Sequence, residues 1–114
     1  MTVWAVQNPL QKKGNRVKPR YDLSAAGLYG PIQTLLRPDQ KPFQSKQIID
    51  TLYIKLKDFS DEDFIICIGN PILLALAVNV AFDINEGRAN LLQWNRDLKE
   101  YDLVRADLGF TSDE

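Results

Sequence analysis

Three groups of side chains in this sequence have types and spacings suited to chemistry, and none of them contains histidine, which the chain lacks. The first is Ile68-Gly69-Asn70-Pro71, where an apolar run ends in a glycine just before a helix start. Such a turn presents backbone N–H groups and the positive end of a helix dipole, which together can hold phosphate or another anion. Gly69 and Asn70 are therefore the candidate anion-binding residues. The motif is unspecific: there is no GxGxxG or GxxxxGK[ST], Pro71 deletes one donor, and helix capping alone accounts for both residues. The second group is Lys12, Lys13, Arg16, Lys18 and Arg20, followed by Tyr21. Five cations suit salt-sensitive contact with nucleic-acid phosphates, and Tyr21 suits stacking on a base, although a solvated loop has the same composition. The third is Asp58, Asp61, Glu62 and Asp63. These carboxylates suit Mg²⁺ or Ca²⁺, but their spacing is not that of an EF-hand loop, and acids also solvate a turn before a buried strand. No metal site is expected from them.

The remaining nucleophile is Cys67, the only cysteine, set in an apolar run where a thiolate is disfavoured. Without histidine, Ser-His-Asp triads, Cys-His dyads and histidine-bearing zinc sites are excluded, and one cysteine makes no internal disulfide. No catalytic residue is assigned, no cofactor is expected, and the chain reads as a non-enzyme. The net charge of −1 hides an asymmetry. Residues 1–57 carry ten Lys or Arg against three Asp or Glu, and residues 58–114 carry four against twelve, so the halves are +7 and −8. Opposite charges of this size suit complementary surfaces within the fold or between copies.

At 114 residues, with 45% hydrophobic and 25% charged content, the chain has the length and composition of one globular domain. Thr2–Val6 reads as a first strand, stopped at Asn8-Pro9. Residues 11–20 show no periodicity and read as a mobile basic loop. Asp22 to Tyr29 suits one helical turn, and Ile32–Leu36 a second strand. Apolar residues at helical spacing, Ile48, Ile49, Leu52, Tyr53 and Leu56, predict an amphipathic helix over Ser45–Asp58. Phe64–Ile68 reads as a strand covered on both faces. Asn70 as N-cap, Pro71 at the first helical position and Gly87 as terminator predict a second helix over Ile72–Asn85. Ala89–Trp94 and Tyr101–Ala106 form a hairpin, and residues 109–114 a frayed acidic tail. The expected fold is α/β, bordering on α+β: one mixed five-stranded sheet with two main helices, in the order β-β-α-β-α-β-β. The second, third and fourth strands are expected to run parallel through right-handed crossovers, and the last antiparallel.

The nineteen residues Phe64–Phe82 carry no charge, close to the roughly 20 of a membrane span. Gly69-Asn70-Pro71, Asn79 and acidic flanks argue instead for a buried strand, a turn and a buried helix, so no membrane contact is expected. Within that helix Asn79 is the polar exception, expected to be buried and to pair across an interface or with a loop carbonyl. Trp94 and Tyr101 read as a cross-strand aromatic pair, with interface anchors as the alternative. Met1–Leu10 lacks the basic region and apolar run of a secretion signal, so a cytoplasmic protein is expected.

Tyr29-Gly30-Pro31-Ile32, Phe59-Ser-Asp-Glu-Asp-Phe64, Ile68-Gly69-Asn70-Pro71, and Gly87 with Leu91-Leu92-Gln93-Trp94-Asn95-Arg96 and Tyr101 together carry a resemblance. Over roughly residues 29–104 the chain resembles a group of small, uncharacterised proteins encoded by tailed bacteriophages. The resemblance implies a bacterial or phage-infected cytoplasm and an accessory or assembly role, and it carries over no functional residue. The leading expectation is a non-enzymatic accessory protein acting through protein–protein contacts, with self-association as a homodimer. Its motive is the second helix, apolar around almost its whole circumference. The rivals are a nucleotide or phosphate binder using the Gly69-Asn70 turn and a nucleic-acid binder using residues 12–20. A basic residue brought next to Gly69 favours the former, and a contiguous basic face the latter.

Overall fold

Every strand of the main sheet but the last points the same way. The computed structural model describes residues 1–109, so the expected tail lies, beyond Gly109, outside the described residues. Strand β1 (Val3–Ala5) pairs in parallel with β4 (Ile32–Thr34) on one side and β5 (Phe64–Ile66) on the other. β5 pairs in parallel with β6 (Arg88–Asn95), and β7 (Glu100–Asp107) returns antiparallel to β6. The sheet order is thus β4-β1-β5-β6-β7, a mixed five-stranded sheet as expected. The helices are α1 (Ser45–Lys55) and α2 (Pro71–Ile84). The uncharged stretch from Phe64 to Phe82 resolves into β5, a turn and most of α2, and no helix among the described residues is long and apolar enough to cross a membrane.

Alternation along the strands divides the apolar residues between two faces. Val6, Ile65 and Ala89 meet Ile48 and Leu52 of α1 and Leu73, Ala77, Val80 and Ala81 of α2. Val3, Ala5, Ile66, Leu92 and Tyr101 face the other way, where Ala26 of a 3₁₀ helix, Ser24–Tyr29, covers them. Both α helices therefore lie on one face and the single helical segment between β1 and β4 on the other. Fully burying each large aliphatic side chain stabilises the fold by about 1.5–3 kcal/mol, so both faces add cohesion.

Three expectations need correction. Residues 11–20 are not a loop: β2 (Leu10–Lys13) and β3 (Arg16–Pro19) form an antiparallel hairpin, a separate two-stranded sheet. Gly14 at φ +60° opens its two-residue Gly14-Asn15 turn, a conformation glycine adopts without steric cost. Asn79 is exposed, and its Nδ2 donates to the Ala75 carbonyl one turn back at 2.7 Å, so its own helix satisfies it and it needs no interface. The apolar circumference of α2 is also largely covered. Leu74, Leu76, Val78, Phe82 and Ile84 pack half-buried against the core, and Ile72 is the one large apolar side chain of α2 that stands exposed.

The termini of α2 follow from local chemistry. Asn70 sits in extended geometry, and its Oδ1 accepts from the N–H groups of Ile72 and Leu73 at 2.9 and 3.2 Å. At the other end Gly87 N–H donates to the Phe82 carbonyl at 2.7 Å, with Glu86 and Gly87 both at positive φ. Asn70→Ala is expected to lower the urea-unfolding free energy by about 1 kcal/mol and Asn70→Asp to leave it nearly unchanged. Equal losses from the two substitutions would mean that the side-chain oxygen does not hold the cap.

Candidate functional site

Because β1, β4, β5 and β6 run parallel, the connections leaving their carboxyl ends gather on one side of the molecule. Those leaving β1, β4 and β5 are the β2–β3 hairpin, the segment 35–44 and the Gly69-Asn70 turn. Open sheets of this kind place ligand crevices at the carboxyl ends, where neighbouring strands send their connections to opposite faces. Here β1 leads to the 3₁₀ helix on one face and β5 to α2 on the other.

Two consecutive side chains after β1 organise this end. Gln7, 6% exposed, donates both amide hydrogens of Nε2, to the carbonyls of Arg37 at 2.8 Å and Gln40 at 2.9 Å. Gln40 closes the same turn by accepting the Arg37 N–H on its Oε1 at 2.9 Å. Asn8 clamps the hairpin's base: its Nδ2 donates to the Tyr21 carbonyl and its Oδ1 accepts the Tyr21 N–H, each at 2.9 Å. Arg20 N–H adds a bond to the Pro9 carbonyl at 2.7 Å. A side-chain amide used in this way imitates one rung of a strand ladder, so the hairpin is attached without joining the sheet.

The hairpin itself sorts its residues by face. Gln11 lies opposite Lys18 and Lys13 opposite Arg16, while Leu10 lies opposite Pro19 and Lys12 opposite Val17. One face therefore presents Lys13, Arg16 and Lys18 together, and the other presents Leu10 and Val17, which are 57% and 61% exposed. No carboxylate among the described residues forms an ion pair with Lys12, Lys13, Arg16, Lys18 or Arg20. Like charges directly opposite in a ribbon are destabilising. Arg20 instead lies over the Tyr21 ring, 5.5 Å from its centroid.

Beneath the hairpin's base is a cleft of about 360 Å³, lined by Gln7, Arg20, Tyr21, Lys41, Gly69 and Asn70 among others. The fold thus brings Gly69 and Asn70 together with Arg20 and Tyr21, while the hairpin's cationic face stands outside the cleft. Gly69 adopts φ +100°, and a Cβ there would lie 3.7 Å from the Gln7 carbonyl. The helix start itself has few donors to offer, because Asn70 occupies the N–H groups of Ile72 and Leu73 and Pro71 has none. Gln7, Asn8 and Lys41 escape a sequence reading. The run Gln7-Asn8-Pro9 reads only as a strand stop, since nothing local reveals which distant carbonyls the amides will meet.

The other candidates lie elsewhere. Trp94 and Tyr101 are ladder partners with ring centroids 5.0 Å apart in an edge-to-face arrangement. Tyr101 is buried, its carbonyl accepts the Tyr29 hydroxyl at 3.1 Å, and burial, then the charge of Asp22, push its phenol above the ordinary value. Of the acids before β5, Asp63 is buried and accepts the N–H groups of Thr2 and Ser60. Asp61 accepts from Asn85 at 2.8 Å and Arg88 at 3.1 Å, and these bonds hold its carboxyl below the usual range. Burial pushes the Cys67 thiol up, away from the reactive thiolate.

The family model described as Phage Pam3 gp32-like protein matches residues 1–108 of the chain. No curated protein and no solved structure matches it.

The clamp generates a direct expectation. Asn8→Ala should speed trypsin cleavage after Lys12, Lys13 and Arg16 several-fold, because cleavage follows the population of the open hairpin. The unfolding free energy should move by no more than about 1 kcal/mol. Unchanged cleavage of the hairpin would show that something other than Asn8 holds it.

Proposed function

We propose, from the premise that the chain belongs to the Phage Pam3 gp32-like protein family, that it is an accessory protein working by binding and that its partner is nucleic acid, gripped by the β2–β3 hairpin. The observation that carries this reading is the ordered ribbon with Lys13, Arg16 and Lys18 on one face and no ion-pair partner for any of them among the described residues. A two-stranded ribbon fits the major groove of a duplex, about 12 Å wide, and unpaired cations gain most by displacing counterions from phosphates. Beyond the pairing of its own strands, the hairpin makes no extensive packing with another element among the described residues. An isolated two-stranded ribbon is marginal by itself, so a like-charged ribbon left free on both faces suits a surface that is completed by a partner.

The charge distribution supports an orientation as well. Lys12, Lys13, Arg16, Lys18, Arg20, Arg37 and Lys41 all belong to connections at the sheet's carboxyl end. Asp58, Asp61, Glu62, Glu86 and Asp107 belong to the opposite end, where α1 and α2 feed into β5 and β6 and where β7 finishes, and they outnumber Lys55, Lys57, Arg88 and Arg105 there, as the cations of the carboxyl end outnumber its Asp39, Asp97 and Glu100. A dipolar molecule of net charge −1 still approaches a polyanion, with its basic end first. Catalysis is left out of the reading because the chain has no histidine and burial pushes the Cys67 thiol up.

Fluorescence-anisotropy titration of a labelled duplex across a range of salt concentrations tests the reading. The wild-type affinity should fall steeply with salt, by close to one logarithmic unit per unit of log salt for each phosphate neutralised. Replacing Lys13, Arg16 and Lys18 by alanine together should reduce that slope by about 2 to 3. Absence of salt-sensitive binding, or an unchanged slope in the triple variant, would overturn the reading.

A further inference from the structure

We propose that the cleft between the hairpin's base, the segment 35–44 and the Gly69-Asn70 turn binds a nucleoside phosphate. This goes beyond the hairpin reading and does not depend on it, since none of Lys13, Arg16 and Lys18 lines the cleft. Two cations reach it from different connections, Arg20 after β3 and Lys41 after β4, and neither is ion-paired to a described carboxylate. Paired cations of separate origin with no acid between them select an anionic group. The guanidinium of Arg20 gives a planar fork matched to phosphate oxygens, and Lys41 a point charge.

The rest of the lining asks for more than an anion. Gln7 is 94% buried by its 6% exposure, and both its amide hydrogens are committed to loop carbonyls, which fixes the side chain's orientation. Gln7 lines the cleft and its Oε1 accepts no hydrogen bond from the described residues, which leaves that oxygen free to accept an N–H or O–H of the ligand. An inorganic anion has no use for that oxygen, whereas a base or a ribose donates to it. Tyr21 also lines the cleft, and the guanidinium of Arg20 lies over its ring. The cleft's volume of about 360 Å³ lies within the range of small-molecule sites, and its position at the carboxyl ends of β1 and β5 is where sheets of this topology open. The phosphate is held by side chains, because the Asn70 cap already occupies the first N–H groups of α2.

Isothermal titration calorimetry of the full chain with AMP, GMP, CMP, UMP and inorganic phosphate provides the test. At least one nucleoside monophosphate should bind ten times more tightly than phosphate. Arg20→Gln and Lys41→Gln, both at exposed positions, should each weaken that binding about tenfold, as expected for losing one charge-assisted contact. The Lys13, Arg16 and Lys18 triple-alanine variant should bind within about twofold of wild type, which separates the cleft from the hairpin. No binding of any monophosphate, phosphate binding as tightly as the nucleotides, or a loss in the triple variant as large as in Lys41→Gln would each overturn the assignment. A single-stranded oligonucleotide added as competitor identifies the source of the ligand. Displacement assigns the cleft to a nucleotide unit of a strand, and its failure assigns the cleft to a free nucleotide.

Discussion

β1 is only three residues long, yet it is hydrogen-bonded in parallel on both sides, so β4 and β5 take their direction and spacing from Val3–Ala5. A parallel neighbour cannot follow through a tight turn, because the chain must first return to the other end of the sheet. The chain leaving β1 therefore has to travel from the carboxyl end back to the start of β4, and it does so through the hairpin and the 3₁₀ helix. Gln7 and Asn8 follow the strand after Val6 and use their amides to hold the segment 35–44 and the hairpin's base. Direction of pairing, convergence of connections and the cleft are thus consequences of one short central strand.

That arrangement moves the functional weight away from α2. Its apolar sequence suggests a face in search of a partner, but seven of its eight large apolar side chains are half-buried or buried by the sheet, α1 and their neighbours, and Asn79 is satisfied within the helix. The hairpin has the opposite character. Lys13 and Arg16 oppose each other across the ribbon, with Lys18 on the same face, and the cost of that repulsion has no offset in ion pairs among the described residues. The clamp at Asn8, the Arg20 to Pro9 bond and the glycine turn keep the ribbon formed in spite of it.

What could be read from the sequence follows the range of each signal. Asn70, Pro71 and Gly87 act on their own neighbours, so the bounds of α2 were legible, and so were five sheet strands, two helices and the closing β6–β7 hairpin with its Trp94–Tyr101 pair. The Gly14-Asn15 turn was equally local, but the cations on either side of it look like a solvated loop unless the turn is weighed before the charge. Strand order was not legible. Three apolar residues in β1 have no mark that distinguishes a central strand from an edge, and only long-range pairing puts β1 between β4 and β5. The cleft was missed for the same reason: Gln7, Arg20, Lys41 and Gly69 come from separate connections, and only the fold makes them neighbours.

On the proposed reading this molecule meets its partner with the carboxyl end of its sheet. Mapping amide chemical-shift changes by NMR while titrating a short duplex into the labelled chain addresses it directly. The shifted residues should fall in Leu10–Tyr21, 35–44 and the Gly69-Asn70 turn, with Arg105–Asp107 and the end of α2 unmoved. Changes concentrated along Arg105–Asp107 or around Asp83–Gly87 instead would contradict it.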